Sequence, residues 1–245
     1  MFVVAHISDL HFNCTRFTRN RIESTLGYIN ARADGIDALL VTGDIADEGT
    51  DAEYREAGLV LDSPIPMIVT AGNHDDRARF NTNLLRRDSV TPVNTARVIN
   101  GVLFLVADSS IPGQNDGFIP DETIAWMDEQ LVDAGPSTRV LVAFHHPPVT
   151  LGMPFMDSIK QTGEDRVAQL VARHPNIIAF VCGHAHTGAV TTFAGRPLCV
   201  APGVASTLNL PFEGHDIVNR GQPPGIAFHI LEGNRIITHY RSVMF

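Results

Sequence analysis

The chain has 245 residues, 44% hydrophobic and 18% charged, with a formal net charge of −9; the size suits one α/β core, and the acidic balance argues against a broad basic face that tracks nucleic acid. No apolar run approaches the roughly 20 residues of a membrane span, and Cys14, Cys182 and Cys199 are too few and too scattered for a disulfide framework. Because "MFVVAHISDLH" reads as a first strand and not as a signal peptide, a cytoplasmic protein of one domain, residues 1–245, is expected.

In chain order, the first apolar run, Val3 to Ile7, leads into Asp9 and His11. An amphipathic stretch from Arg16 predicts a helix, and the next run, Ala38 to Thr42, leads into Asp44 and Asp47. A helix from Thr50 precedes Pro66 to Thr70, which leads into Asn73 and His74, and another helix is expected from Asp75. Asn100-Gly101 between apolar runs marks a hairpin. The stretch from Pro120 carries helix punctuation, with acidic residues at its start and Gly135 past its end. Val140 to Phe144 then delivers His145 and His146, and after a loop from Thr150 and a helix from Glu164, Ile177 to Cys182 delivers His184 and His186. A long turn-rich segment, residues 206–225, is expected to act as a cap or substrate loop, with Asn209, Phe212 and His215 as candidate contacts. A last hairpin turns at Gly233-Asn234.

Strands that alternate with helices present their carboxyl ends along one sheet edge, where open α/β folds hold ligands. Periodicity alone suggests a single doubly wound sheet. In extended backbone, residues i and i+2 share a side, so Asp9 with His11, and His184 with His186, are expected to form two-toothed clamps. The glycines before Asp44, Asn73 and His184 allow special backbone angles and close approach. Taken singly, Asp9 reads as a helix cap and Asp44 as a turn residue; five polar clusters at five strand ends read as one site.

Carboxylate, amide carbonyl and neutral imidazole suit zinc, manganese or iron. The seven candidates, Asp9, His11, Asp44, Asn73, His145, His184 and His186, exceed one ion's shell and fit two ions that share a carboxylate. Two-metal sites clamp the attacking and leaving oxygens of an in-line displacement, and their charge would draw an anionic diester into an acidic protein. Asp47 and Asp75 would oversupply negative charge as ligands and are expected to orient neighbouring histidines. His74, with a pKa near the working pH, is expected to protonate or hydrogen-bond a phosphate oxygen. His6, His174, His229 and His239 read as structural, and Arg77 and Arg79 as phosphate or base contacts or as a solvated helix face.

The motifs D-x-H at Asp9 and His11, G-D-x-x-D at Gly43 to Asp47, G-N-H-D at Gly72 to Asp75, H-H-P-P at His145 to Pro148 and G-H-x-H at Gly183 to His186 resemble those of the calcineurin-like binuclear metallophosphoesterases. More narrowly, "YREAGLVLDSPIPMIVTAGNHDDRARF", "VADSSIPGQNDGFI" and "HHPPVTLGMPFMDSI" look like class III cyclic nucleotide phosphodiesterases and bacterial glycerophosphodiesterases. The likeness implies an often dimeric four-layer α/β/β/α sandwich of two facing mixed β-sheets flanked by helices, with the Gly233-Asn234 hairpin completing the second sheet. It implies two divalent or trivalent ions (Mn, Fe or Zn), one held by Asp9, His11, Asp44 and His186 and one by Asp44, Asn73, His145 and His184, with His146 outside the ligand set.

The activity so implied is hydrolysis of a small-molecule phosphodiester by a metal-bridging hydroxide, with Asp44 and His74 as catalytic candidates. His74, Asn73, Asn209 and His215 are the candidate substrate contacts. 3′,5′-cyclic nucleotides are the first expectation for substrate; glycerophosphodiesters or broad phosphodiester and phosphomonoester turnover are the alternative. The acidic balance disfavours a nuclease of the same superfamily, and neither stable nucleic acid nor a membrane is expected as a partner. A scaffold that had lost its site would lack ligands, and here none of the seven is missing.

Overall fold

The computed structural model describes residues 1–244. The chain begins with β1 (Phe2–Ile7), α1 (Arg16–Asn30), β2 (Ala38–Thr42), α2 (Asp51–Val60), β3 (Met67–Thr70) and α3 (Arg77–Asn83). It continues with β4 (Thr95–Ile99), β5 (Val102–Val106), β6 (Gly117–Phe118), α4 (Asp121–Ala134), β7 (Arg139–Ala143), α5 (Pro154–Asp157), β8 (Gln161–Thr162), α6 (Glu164–Arg173) and β9 (Ile177–Cys182). The last elements are β10 (Ala189–Phe193), β11 (Arg196–Val200), β12 (Thr207–Leu208), β13 (Val218–Asn219), β14 (Gly225–Glu232) and β15 (Arg235–Ser242).

Two mixed sheets result. One has the order β15-β14-β1-β2-β3 and the other β10-β11-β9-β7-β5-β4. Their centres are parallel and their hairpins antiparallel. β2, β5 and β9 are buried at every residue, as strands covered on both faces must be. Three apolar clusters fill three gaps between layers. Phe2, Val4 and Leu40 of the first sheet meet Phe104, Leu141 and Val181 of the second. Leu39 and Val41 face Ile22, Leu26 and Tyr54 of α1 and α2, and Val142 and Phe180 face Met127, Leu131 and Leu170 of α4 and α6. The layers are therefore helix, sheet, sheet, helix, not the single sheet that periodicity alone suggests. Alternation of strand and helix specifies crossovers, but not the point where the chain leaves one sheet and starts another.

Local signals hold where side chains satisfy helix ends. Thr15 caps α1 and Thr50 with Glu53 forms a capping box on α2, while Gly135 ends α4 at φ 76°. The third helix starts at Arg77, because Asp76 is its cap and Asp75 is engaged elsewhere. The β14–β15 hairpin pairs with β1, so it extends the first sheet, not the second. The second sheet instead gains the β10–β11 hairpin, whose turn uses Ala194 at φ 48° and Gly195 at φ 73°; alanine in that position hides the usual Asn-Gly signature. Among the described residues no helix is long and apolar enough to cross a membrane.

Candidate metal centre

The carboxyl ends of β1, β2 and β3 in one sheet and of β7 and β9 in the other open on one cleft. Backbone hydrogen bonds join the strand exits: His11 N–H donates to the Asp44 carbonyl at 2.9 Å, Gly183 N–H to that of His145 at 3.0 Å, and Ala205 N–H to that of Asp9 at 3.0 Å. Gly183 is required by close approach, since a Cβ there would collide with Ser8 Oγ. Asp9, His11, Asp44, His184 and His186 all take positive φ, between 46° and 69°. The expected extended clamps are thus replaced by left-handed turns just past the strand ends. Each such non-glycine residue costs about 1 kcal/mol or more, and strain of this kind gathers at functional sites.

The side chains converge nevertheless. Asp9, His11, Asp44 and His186 each offer a ligand atom, all within 4.8 Å of one another, and His145, His146 and His184 form a second such group. Asp44 Oδ2 links the two, 3.6 Å from His11 Nε2 and 3.3 Å from His145 Nε2. Asn73 Oδ1 lies 3.2 Å from the same His145 nitrogen.

Hydrogen bonds on the far side of each ring fix what faces inward. His11 Nδ1–H donates to Asp47 Oδ1 at 2.9 Å, and His186 Nδ1–H to the Ser206 carbonyl at 3.1 Å. Both Nε2 atoms therefore present lone pairs, and they stand 3.2 Å apart. His184 donates Nε2–H to the Ile159 carbonyl at 3.1 Å, which leaves its Nδ1 as the lone pair. Two facing lone pairs repel unless a cation lies between them. Asp9 Oδ2 and His146 Nε2 are buried without a hydrogen-bond partner, a costly state in a protein interior. These donors fit one or two divalent ions: oxygen and imidazole nitrogen, deprotonated and held in place from behind.

The electrostatics agree. Burial holds His184 well below the usual imidazole range and pushes His186 down to about 4, so both are neutral and able to ligate. Burial also raises Asp9 to about 6. Burial opposes charge on His145 too, yet the Asp44 carboxylate raises it to about 9; a proton sits there where a cation would serve equally well. For Asp44, the His145 and His11 rings overcome burial and hold the carboxyl well below its ordinary range.

Asp47 accepts from His11 Nδ1, a histidine neighbour of the kind it was expected to have. Asp75 does not touch a histidine; it accepts the N–H groups of Ile45, Ala46 and Gly72 and the Tyr54 hydroxyl. It therefore shapes the loop that carries Asp44. His146 packs against Ser109, with Nδ1 2.8 Å from its hydroxyl, and its ring lies 4.5 Å from that of His184. His74 sits edge-on to His11, ring centroids 4.6 Å apart, and its Nδ1–H donates to the Asp47 carbonyl at 2.7 Å. Burial lowers its pKa, but Asp44 and the Asp47 carbonyl raise it overall.

Of the remaining candidates, Arg77 pairs with Asp108 at 3.0 Å and Arg79 with Asp76 at 3.4 Å, and neither lines the cleft. His6 and His229 form a buried pair at 3.0 Å, and His174 meets Asp128 at 2.6 Å. Asn73 and His74 line the cleft, a cavity of ≈ 320 Å³, whereas Asn209 and His215 line a smaller one beside it. Phe212 lines neither and is 83% exposed. The cleft also gathers Asn115, together with Phe155 and Ile159 of the loop from Thr150 and Leu208 and Arg220 of the 206–225 loop. Arg21, fully buried on α1, carried no sequence signal: it donates to the carbonyls of Val204, Arg220 and Gln222 and so ties down both ends of the 206–225 loop.

Comparison with known proteins gives four findings. The sequence profile of the calcineurin-like phosphoesterases matches residues 2–188. The chain is 30% identical to a glycerophosphodiester phosphodiesterase of Enterobacter lignolyticus, over 98% of this chain and 91% of that protein. It is 31% identical to a cAMP/cGMP dual specificity phosphodiesterase of Mycobacterium tuberculosis, over 85% and 69%. In fold it resembles a dimetal phosphatase from Danio rerio, with TM-score 0.73, 15% identity and coverage of 98% and 96%.

Proposed function

The chain belongs to the calcineurin-like phosphoesterase family, and from that premise we propose that it hydrolyses 3′,5′-cyclic nucleotides as a binuclear metal-dependent phosphodiesterase. The observation that carries the reading is Asp44 Oδ2, within reach of His11 on one side and His145 on the other. A shared carboxylate is what two neighbouring ions need. Asp9, His11, Asp44 and His186 would hold one ion, and Asp44, Asn73, His145 and His184 the other, with manganese, iron and zinc all compatible with these donors. When bound, such ions supply Lewis acidity that activates water and offsets charge on the phosphoryl oxygens.

The rest falls to the chain itself. Asp47 and the Thr42 carbonyl, 2.6 Å from His145 Nδ1, fix the tautomers of His11 and His145. His74, anchored through Nδ1, keeps Nε2 to deliver a proton to the departing alkoxide, a role its raised pKa suits. Residues 206–225 serve as the substrate loop. Chelation should abolish turnover and manganese restore it; full activity after verified metal removal would end the proposal.

A second substrate reading has its own support, the relative matched across 98% of this chain, which is a glycerophosphodiester phosphodiesterase. Parallel kinetics on cyclic AMP and glycerophosphocholine separate the two. Cyclic AMP turnover far below that of glycerophosphocholine would give the second reading precedence.

A further inference from the structure

Beside the cleft lies a cavity of ≈ 220 Å³ that shares Phe155, Met156 and Leu208 with it. Resting on the phosphodiesterase reading, we propose that this cavity is a subsite for an apolar substituent on one ester arm of the substrate. The chemistry it would take is an aromatic ring or an alkyl chain joined through oxygen to a phosphoryl group held over the metal centre.

Three observations converge. First, the cavity's wall is mostly apolar: beyond the shared residues it has Met153, Leu210 and Ile217. Second, polar groups of the loop around it are turned on one another. Asn209 Nδ2 donates to the Asp216 carbonyl at 3.0 Å, Asn219 donates to Asn209 Oδ1 at 2.9 Å, and Leu210 N–H donates to Glu213 Oε2 at 2.7 Å. These polar groups are thus satisfied within the loop; His215 and Asp216 also border the cavity, whose wall is otherwise mostly carbon. Third, large apolar side chains stand half exposed at this junction, with Phe155 at 53%, Ile217 at 46% and Val218 at 48%. Apolar surface left open beside a polar centre marks an interaction site.

Geometry supplies the direction. Carboxylates and imidazoles floor the cleft, and Arg220 is the one Lys or Arg among the described residues lining it. An acyclic diester with its phosphoryl group on that floor has two ester arms to place, and the continuous wall of Phe155, Met156 and Leu208 leads one of them into the cavity; a cyclic diester would send there the one group its ring carries. Arg21 anchors both ends of the loop, so the subsite is preformed and its occupation costs little ordering.

The test is binding to the metal-loaded protein of methylphosphinates, CH3–P(O)(O−)–R, in which both substituents are joined by P–C bonds and cannot be hydrolysed, with R an ethyl, octyl or naphthylmethyl arm. The octyl or the naphthylmethyl compound should bind at least tenfold tighter than the ethyl compound, a difference of about 1.4 kcal/mol. Preference for octyl alone assigns an alkyl chain, and preference for naphthylmethyl alone an aromatic ring; either supports the subsite. In Ile217→Asp and Phe155→Asp that ratio should collapse toward one. Leu59→Asp, an exposed site on α2 that does not line the cleft, should keep the parental ratio. Equal binding of all three phosphinates by the parent overturns the proposal. So does an Ile217→Asp protein that halves its mass in light scattering and keeps the ratio, because the patch is then a contact between copies. If the phosphinates still rank by arm while no diester is hydrolysed, the enzymatic reading fails and the subsite stands.

Discussion

The Asp44 carboxylate lies 3.3 Å from Nε2 of His145, although one follows a strand of the first sheet and the other a strand of the second. This contact joins the two halves of the candidate metal centre. Asp44→Asn keeps the size and removes the charge; kcat should fall at least ~100-fold, and metal analysis should show fewer than two ions per chain. Two bound ions with near-parental turnover would remove Asp44 from the bridging role.

Asp47 acts through His11, holding its Nδ1–H at 2.9 Å. Asp47→Asn should weaken metal affinity or activity by about 10- to 100-fold, with unfolding little changed because the carboxylate is partly exposed. Titration of the stripped variant with manganese measures this directly, and an unshifted binding curve contradicts the role.

His74→Gln separates acid catalysis from binding. With an alkoxide leaving group kcat should drop by ~10²–10⁴, and far less with nitrophenolate, which departs without a proton. Equal losses on both substrates would show that His74 has another task.

His6 and His229 make a pH-sensitive stability element. Burial lowers His6 well below its ordinary value and takes His229 from 6.5 to about 3. The unfolded chain therefore binds these protons first as pH falls. The contribution to stability is complete above pH ~6.5 and is lost as pH drops toward 3, at roughly 1.4 kcal/mol per unit for each histidine. Asp9 and Asp75, raised to about 6 by burial, act in the opposite sense, so a variant must isolate the pair. Urea unfolding at pH 7 and pH 5 should show a smaller loss for His229→Gln than for the parent; identical losses would exclude this residue.

Two glycines give opposite outcomes. In Gly183→Ala the new methyl collides with Ser8 Oγ, and stability should fall by about 1–3 kcal/mol. Gly58 lies within α2 with nothing near its absent Cβ, so Gly58→Ala should raise stability by about 0.5–1 kcal/mol. Thermal melts of the pair check both signs.

Residue order alone determined the strand runs, the helix from Thr50, the helix end at Gly135 and the five polar clusters after the strands, because periodicity and end chemistry are local. It did not determine which sheet each strand joins, since a crossover helix looks the same whether it returns to one sheet or leads to another. Nor did it reveal the left-handed turns at Asp9, His11, Asp44, His184 and His186: such angles are unfavourable locally and are held by hydrogen bonds between strand exits, among them His11 N–H to the Asp44 carbonyl within the first sheet and His184 N–H to Asp9 Oδ1 across the two. Arg21 was silent, and Asp75 was assigned to the histidines and not to the Asp44 loop, for the same reason. Their partners are distant along the chain, and only tertiary packing brings a side chain and its purpose together.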